Sequence, residues 1–294
     1  MQSSKYVYEG LAQRYTTAIN ALCEIGRTYY IFGKLSDAQH VLRTSLQMLE
    51  AGEIEPEHQL KLLLLYSRVL IVDHLLTRGS ADLLFSTVLH AKQVAEMTQN
   101  RQGIADALSL LGQAYYFTTV VASLKSGTSP NSPRDQGKYD KAFAYQQQAL
   151  ELREAMHDTR GISESYFQIG VVYERWQQYD QAQEYYAKAR QVADQYDHLF
   201  EKTEPARHVA IEALRQGNLD QALTLALQAL SLREEANFKP YLPLDHLLLR
   251  DIYLAKGDMA NAELYTQRAS VLAEEMGLKT LVSSLPNIQD VLEA

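Results

Sequence analysis

The sequence predicts an all-α solenoid built from consecutive helical hairpins. Only 7 Pro and 14 Gly occur among 294 residues, which suits long helices joined by short turns rather than a loop-rich β-protein. One turn block recurs: a turn residue, a polar residue, an apolar residue, two polar residues and Ala. Its copies are Gly33–Ala38, Gly137–Ala142, Gln177–Ala182, Gly217–Ala222 and Gly257–Ala262. The last four copies are evenly spaced along the chain, so the repeat sets the architecture.

Each turn block has the chemistry of a tight helix-to-helix connection. Glycine adopts the left-handed conformation that ends a helix, and the Asp or Ser that follows can cap the next helix. The final Ala allows two helices to approach closely. We therefore interpret each block as the turn of one hairpin.

A second pattern marks the first helix of several hairpins. Gly26, Gly112 and Gly170 are each followed by Tyr three residues later. We expect the glycine to admit the neighbouring helix and the aromatic ring to fill the space beside it. A second small residue follows seven positions after each turn-block Ala, namely Ser45, Ala149, Ala189, Ala229 and Ala269.

Together these patterns resemble the tetratricopeptide-repeat (TPR) family. The best-matching unit contains Tyr166, Ile169, Gly170, Tyr173, Ala182, Tyr186 and Ala189 at the consensus spacing. The fifth unit is degenerate, with Ala206, Ala210 and Ala213 at large positions, and the sixth has Arg250 where glycine is expected. The long period of the repeat is similar to that of the long-period TPR subclass, which includes kinesin light chains and bacterial peptide-pheromone receptors.

The resemblance implies one right-handed superhelical solenoid over residues 1–294. We expect six hairpins, with the second matched only by spacing, at 15–50, 57–99, 101–157, 159–197, 202–236 and 242–276. The Ser/Pro-rich composition near residues 126–133 predicts an inserted loop at 118–136. Apolar residues at helical spacing predict a C-terminal capping helix at 280–293.

Composition narrows the classes of function. A net charge of −8 disfavours binding to nucleic acid or to an anionic membrane, so we expect neither partner. Cys23 is the single cysteine, which suits a reducing, cytoplasmic location. Eight scattered histidines give no metal-ligand spacing, and no nucleotide-binding or hydrolase motif occurs. We expect no enzyme activity, no cofactor and no metal.

TPR geometry implies that the first helix of each hairpin lines a concave groove. Fifteen residues carry this prediction: Asn20, Arg27, Tyr30, Ser109, Gln113, Tyr116, Phe167, Gln168, Glu174, Arg175, Arg207, His208, Ile211, Arg215 and Asp251. Amides can pair with a peptide backbone, apolar pockets select side chains, and arginine can bind a carboxylate. The sequence thus predicts a non-enzymatic scaffold that binds a protein or peptide in this groove.

Three alternatives stay open at this point. The chain could be a regulatory or sensor module of a bacterial signalling or transcription-control system that binds a peptide or small molecule. An enzyme on a helical scaffold is less favoured. The apolar N-terminal edge could form a homodimer or could be a first capping helix; it contains Tyr6, Val7, Tyr8, Leu11 and Tyr15. The carboxylate clamp of co-chaperone TPRs is not matched, because its positions hold Cys23, Arg27, Ser109, Gln113, Phe167 and Val171.

Overall fold

A computed structural model describes residues 2–50 and 55–278, apart from the side chains of 2–9, 11, 12 and 50. These residues form an all-α solenoid of twelve helices and two 3₁₀ turns, 134–136 and 239–241. The helices are α1 (Gln2–Ile31), α2 (Leu35–Glu50), α3 (Pro56–Thr77), α4 (Ala81–Met97), α5 (Arg101–Ser126), α6 (Asp140–Met156), α7 (Thr159–Arg175), α8 (Tyr179–Gln195), α9 (Leu199–Arg215), α10 (Leu219–Glu235), α11 (Leu242–Ala255) and α12 (Met259–Met276).

Consecutive helices pack as pairs, and each pair packs on the next. The hairpins are α1/α2, α3/α4, α5/α6, α7/α8, α9/α10 and α11/α12. The odd-numbered helices also contact one another along the chain, so they form an inner layer while the even-numbered helices form an outer layer. This two-layer arrangement produces a concave inner wall, as in other helical solenoids.

Left-handed residues divide the second half of the chain into equal steps. From Gly137 onward, a residue with a φ angle between 51° and 76° recurs at regular intervals and stands beside a helix end. Glycine has no steric cost in this conformation and occupies four of these positions. At each of the other four, the left-handed conformation costs about 1–2 kcal/mol. The eight residues are Gly137, His157, Gln177, Asp197, Gly217, Asn237, Gly257 and Gly277.

The glycines of the first-helix pattern lie where neighbouring helices approach closely. A Cβ atom at Gly26 would stand 2.8 Å from Leu42, and one at Gly112 would stand 2.6 Å from Gln146. At Gly170 the obstacle is the ring of Tyr186, 2.6 Å away. Such distances leave no room for a methyl group, so the smallest residue sets the spacing between the two layers.

The predicted loop at 118–136 is wrong over its first part, because residues 118–126 continue α5 as far as Ser126. Val120 and Val121 are buried in that extension, and the hydroxyl of Thr118 donates to the carbonyl of Ala114. Packing of the valines against the core extends the helix beyond the repeat length. The irregular segment is therefore 127–139.

Two predicted features lie partly or wholly outside the described residues. The capping helix at 280–293 lies entirely outside them and stays a prediction. Of the N-terminal edge, only Tyr15 has a described side chain, and it is half-buried.

The first and last hairpins meet, so the inner wall curves back on itself. The rings of Tyr30 and Phe238 lie 5.2 Å apart, and the Nζ of Lys239 lies 4.8 Å from the centre of the Phe32 ring. The ammonium group of Lys34 also donates to the backbone carbonyl of Glu275 in α12. These contacts join opposite ends of the described chain and close the solenoid around its concave face.

Within the described residues, α5 is the one helix that is long and apolar enough to cross a membrane. Most of its apolar side chains are buried against α3, α4 and α6, which is the usual position of a core helix.

Replacing Gly170 by Ala tests the close approach of α7 and α8. We expect the melting temperature to fall, because overpacking a tight contact costs about 1–3 kcal/mol and outweighs the gain in helix propensity. At Gly10 in α1, no atom of the described residues lies within 4 Å of the place that a Cβ would occupy, so Gly10→Ala is the matched control. A thermal melt in which Gly170→Ala is as stable as Gly10→Ala would contradict the packing argument.

Candidate functional site

The concave face encloses a cavity of about 500 Å³. Its walls come from the inner helices α1, α3, α5, α7 and α9, and the turn at 236–241 closes one side. Tyr30, Leu65, Phe167 and Phe200 supply apolar surface, while charged side chains occupy the rest. A cavity of this size matches a ligand site for a small molecule or several peptide residues.

A smaller cavity of about 110 Å³ lies next to the first. Five residues line both cavities, so we describe the two together as the groove: Gln113, Phe167, Gln168, Glu204 and Tyr241. We call the larger space the main cavity and the smaller one the side pocket. The side pocket lies between α5, α7, α9 and α11.

Arg153 is a buried charge that fixes one side of the main cavity. It lies in the last turn of α6, and its side chain is 1% exposed. Its Nη2 is 2.9 Å from Asp106 Oδ1 of α5 and 2.8 Å from Glu164 Oε2 of α7. Burial would raise the pKa of Glu164, but Arg153 and Arg68 hold that pKa below its ordinary value. The Glu164 carboxylate therefore stays ionised at neutral pH, and its ion pair with Arg153 fixes its position.

Arg233 shows the same arrangement two hairpins further along the chain. Its Nε donates to Asp245 Oδ2 of α11 at 2.9 Å, and its Nη1 donates to the hydroxyl of Thr203 at 3.0 Å. Glu204 accepts from Arg233 and also lies 2.6 Å from Arg207. Glu164 and Glu204 occupy equivalent positions of successive repeats, so the same position on α7 and on α9 holds a groove carboxylate.

A hydrogen-bonded triad lies behind the side pocket. The Oε2 of Glu174 is 2.9 Å from His208 Nδ1, and it accepts the hydroxyl of Tyr186 at 2.6 Å. Burial would raise the pKa of Glu174, but the charge and hydrogen bond of His208 outweigh it and lower the pKa to about 2. The interaction orients the His208 ring against Phe167, with ring centres 5.2 Å apart.

Glu201 differs from the other carboxylates of the main cavity. Burial raises its pKa, although Arg160 lies 3.1 Å from its Oε1. Its Oε2 is buried and has no hydrogen-bond partner within the described part of the chain. This buried oxygen therefore keeps an unused acceptor next to the main cavity.

The irregular segment 127–139 lies against the end of α7, next to the groove. The backbone N–H of Ser132 donates to the carbonyl of Arg175 at 2.9 Å, and Arg175 Nη1 donates to Asn131 Oδ1 at 3.2 Å. The guanidinium of Arg134 stacks 4.7 Å from the centre of the Trp176 ring. The segment is thus anchored to a residue that lines the side pocket.

The structure brings nine of the fifteen predicted groove residues to the cavity walls. Arg27 and Tyr30 line the main cavity, and Tyr116, Arg175, Arg207 and His208 line the side pocket. Gln113, Phe167 and Gln168 line both. Their role in binding a ligand stays a prediction.

Six predicted residues are not among the wall residues, and each has other contacts within the fold. Ser109 donates to buried Gln146, Glu174 lies behind His208, and Ile211 is buried in the core. Asn20 accepts from Lys61, Asp251 pairs with Arg250 at 2.7 Å, and Arg215 stacks 3.6 Å from the centre of the Tyr179 ring.

Several wall residues were not among the predicted ones. Arg68 belongs to the second hairpin, whose sequence matches the repeat pattern only by spacing, and Arg153 lies on an outer helix. The turn at 236–241 contributes Phe238 and Tyr241 through the closure of the solenoid. The equivalent repeat positions of Glu164 and Glu204 are a signal that could have found the groove carboxylates.

Comparison with known proteins finds a tetratricopeptide repeat in part of the chain. Residues 134–195 match the tetratricopeptide repeat family model. No curated protein sequence matches the chain. The fold of the described residues is a helical solenoid of the TPR type.

Solved structures of Rap proteins share this fold. The apo form of RapI has a TM-score of 0.60 at 17% identity, over 89% of this chain and 84% of RapI. The Rap conjugation gene regulator of plasmid pLS20, in complex with the Phr* peptide, has a TM-score of 0.62 at 16% identity, over 98% and 70%. A Rap protein complexed with Competence and Sporulation Factor has a TM-score of 0.52 at 15% identity, over 93% and 69%.

Replacing Arg153 by Met tests whether the buried charge cluster stabilises the inner wall. We expect the free energy of unfolding to fall by about 3–5 kcal/mol, because Asp106 and Glu164 lose their buried partner. Arg190 pairs with Asp194 on the exposed face of α8, so Arg190→Met should change the free energy of unfolding by less than about 0.5 kcal/mol. Equal urea midpoints for the two variants would contradict the role of Arg153.

The low pKa of Glu174 predicts a specific acid sensitivity. A carboxyl group with a lower pKa in the folded state than in the unfolded state stabilises the fold at every pH above its unfolded-state pKa. This contribution is lost as the pH falls toward the folded-state pKa of about 2. Between about pH 5 and pH 3, the wild type should lose about 2 kcal/mol more stability than Glu174→Gln. Urea unfolding at both pH values measures this difference, and parallel losses would contradict it.

Proposed function

We propose that the chain binds an extended peptide in the concave groove and acts without catalysing a reaction on it. The observation that carries this proposal is the groove formed by the main cavity and the side pocket. Its walls combine aromatic rings, amides and fixed ions, which suit the side chains and backbone of a peptide.

The polar groups of the groove support this proposal because they are already oriented. Asp106, Glu164 and Glu204 are held by arginines, and Gln113 donates to Glu164 at 3.2 Å. A wall of fixed side chains binds a ligand with little loss of side-chain freedom. Gln168 lines both cavities and is half-buried, so its amide lies where a peptide backbone would pass.

The similar solved structures give independent support. Two of them contain a ligand: the Phr* peptide in one Rap protein and Competence and Sporulation Factor in another. At 16% and 15% identity these likenesses concern the fold, and the transfer of peptide binding to this chain belongs to the proposal.

A regulatory or sensor module is the second candidate function. The contact between the first hairpin and the turn at 236–241 favours it, because Tyr30 and Phe238 pack together and both line the main cavity. A ligand that touches these rings would alter how tightly the solenoid closes. One of the similar structures is also that of a conjugation gene regulator.

Blocking the groove tests the proposed function. The immobilised chain is incubated with a pool of random hexapeptides, and the captured peptides are measured by mass spectrometry. We expect Gln168→Trp to reduce capture at least about tenfold, because the indole fills the junction of the two cavities, equivalent to about 1.4 kcal/mol of binding. Gln181→Trp, on the exposed side of α8, is the matched control.

No capture by the wild type, or equal capture by both variants, would refute peptide binding in the groove. Scattering profiles with and without a captured peptide separate the two candidates. A change in the radius of gyration favours the regulatory module, whereas an unchanged radius favours the scaffold.

A further inference from the structure

The side pocket combines an apolar interior with two guanidinium groups and an imidazole ring. Leu75, Val120 and Leu244 form part of its apolar surface. Arg175, Arg207 and His208 line the same pocket. At about 110 Å³ it is several times larger than the space that one water molecule needs. Its dimensions therefore suit one apolar side chain together with a small charged group.

Arg207 lines this pocket, and one of its nitrogens is unsatisfied among the described residues. The residue is 9% exposed, and its Nε is buried without a hydrogen-bond partner among the described residues. Asp245 Oδ1, at 3.8 Å, attracts this nitrogen but is too distant to accept a hydrogen bond. Glu204 is the carboxylate that lines the pocket, and it is shared between Arg207 and Arg233. A buried donor without a partner costs free energy, and an acceptor on a ligand would remove that cost.

Arg175 is held in position from two sides. Its Nε donates to the hydroxyl of Tyr116 at 3.0 Å, and its Nη1 donates to Asn131 Oδ1 at 3.2 Å. Tyr139, at the end of the irregular segment, donates to the carbonyl of Pro130 and so keeps that segment folded next to Asn131. The segment 127–139 thereby positions a guanidinium group of the side pocket.

We propose that the side pocket receives the C-terminal residue of the bound peptide. The apolar side chain of that residue packs on Leu75, Val120 and Leu244, and its carboxylate lies between Arg175 and Arg207. Asn131 is a positioning residue, which acts through Arg175. This inference rests on the proposed function and adds the direction of the peptide and the chemistry of its last residue.

Both parts of the pocket are needed for this assignment. Arginine binds carboxylates through paired hydrogen bonds, which explains the charged group. An aspartate or glutamate side chain would leave the apolar surface unfilled, whereas a terminal Leu, Ile, Val, Met or Phe fills it and carries a carboxylate on the same residue. Arg175 and Arg207 do not occupy the carboxylate-clamp positions, although Gln113, Phe167 and Val171 at those positions also line the pocket.

Three hexapeptide pools test the assignment on the immobilised full chain. The first has a free C-terminal carboxylate and no Asp or Glu, the second is the same pool with a C-terminal amide, and the third is amidated with one Glu at a random position. We expect the first pool to be captured about tenfold more than either other pool, with apolar last residues enriched.

Each other outcome overturns the assignment in a distinguishable way. Equal capture of the first and second pools refutes the carboxylate site but leaves peptide binding in place. Preference for the third pool alone moves the recognised carboxylate to a side chain and refutes the terminal assignment. Capture of no pool refutes both the assignment and the proposed function.

Variants test the named residues through the ratio of free-acid to amide capture. Arg207→Gln and Arg175→Gln should each reduce the ratio below about threefold, and Arg215→Gln, outside the cavities, should keep it. Asn131→Ala should lower the ratio while amide capture stays constant, which a general loss of structure would not produce. Circular dichroism confirms folding, and an unchanged ratio in folded Arg175→Gln and Arg207→Gln refutes the assignment.

Discussion

Buried arginines hold the concave wall of this solenoid in one arrangement. Arg153 and Arg233 each extend from an outer helix into the inner layer, where each contacts carboxylates on two inner helices. Removing such a charge from water is costly unless its partners are fixed around it. Because the partners come from successive hairpins, the same ion pairs that satisfy the arginines also set the spacing of the inner helices. The groove depends on that spacing.

The fold was predictable because its main constraints are local. Turn glycines, a small residue at the helix contact and a nearby tyrosine recur in sequence, and the structure places Gly26, Gly112 and Gly170 at close helix contacts. The length of α5 was not predictable in this way. The run at 118–126 lacks the repeat pattern, and only the burial of residues such as Val120 keeps it helical.

The groove was only partly predictable because it depends on long-range geometry. Family geometry placed Arg27, Phe167 and Gln168 on the concave wall, and all three line the main cavity. It could not show that Arg215 would stack on Tyr179, since that contact depends on the local path of α8 and α9. Nor could it place Tyr241 beside α1, because this proximity arises only after the solenoid has curved back on itself.

The contacts between the first hairpin and the C-terminal end of the described residues make the solenoid a closed ring. In an open helical solenoid, each hairpin contacts only its neighbours, and bending is distributed over all the interfaces between hairpins. Because Tyr30 packs against Phe238, the ring is closed. A change of curvature at one hairpin must then be compensated by changes at the others. A change that begins on the concave face can then alter the positions of outer helices that lie far from it.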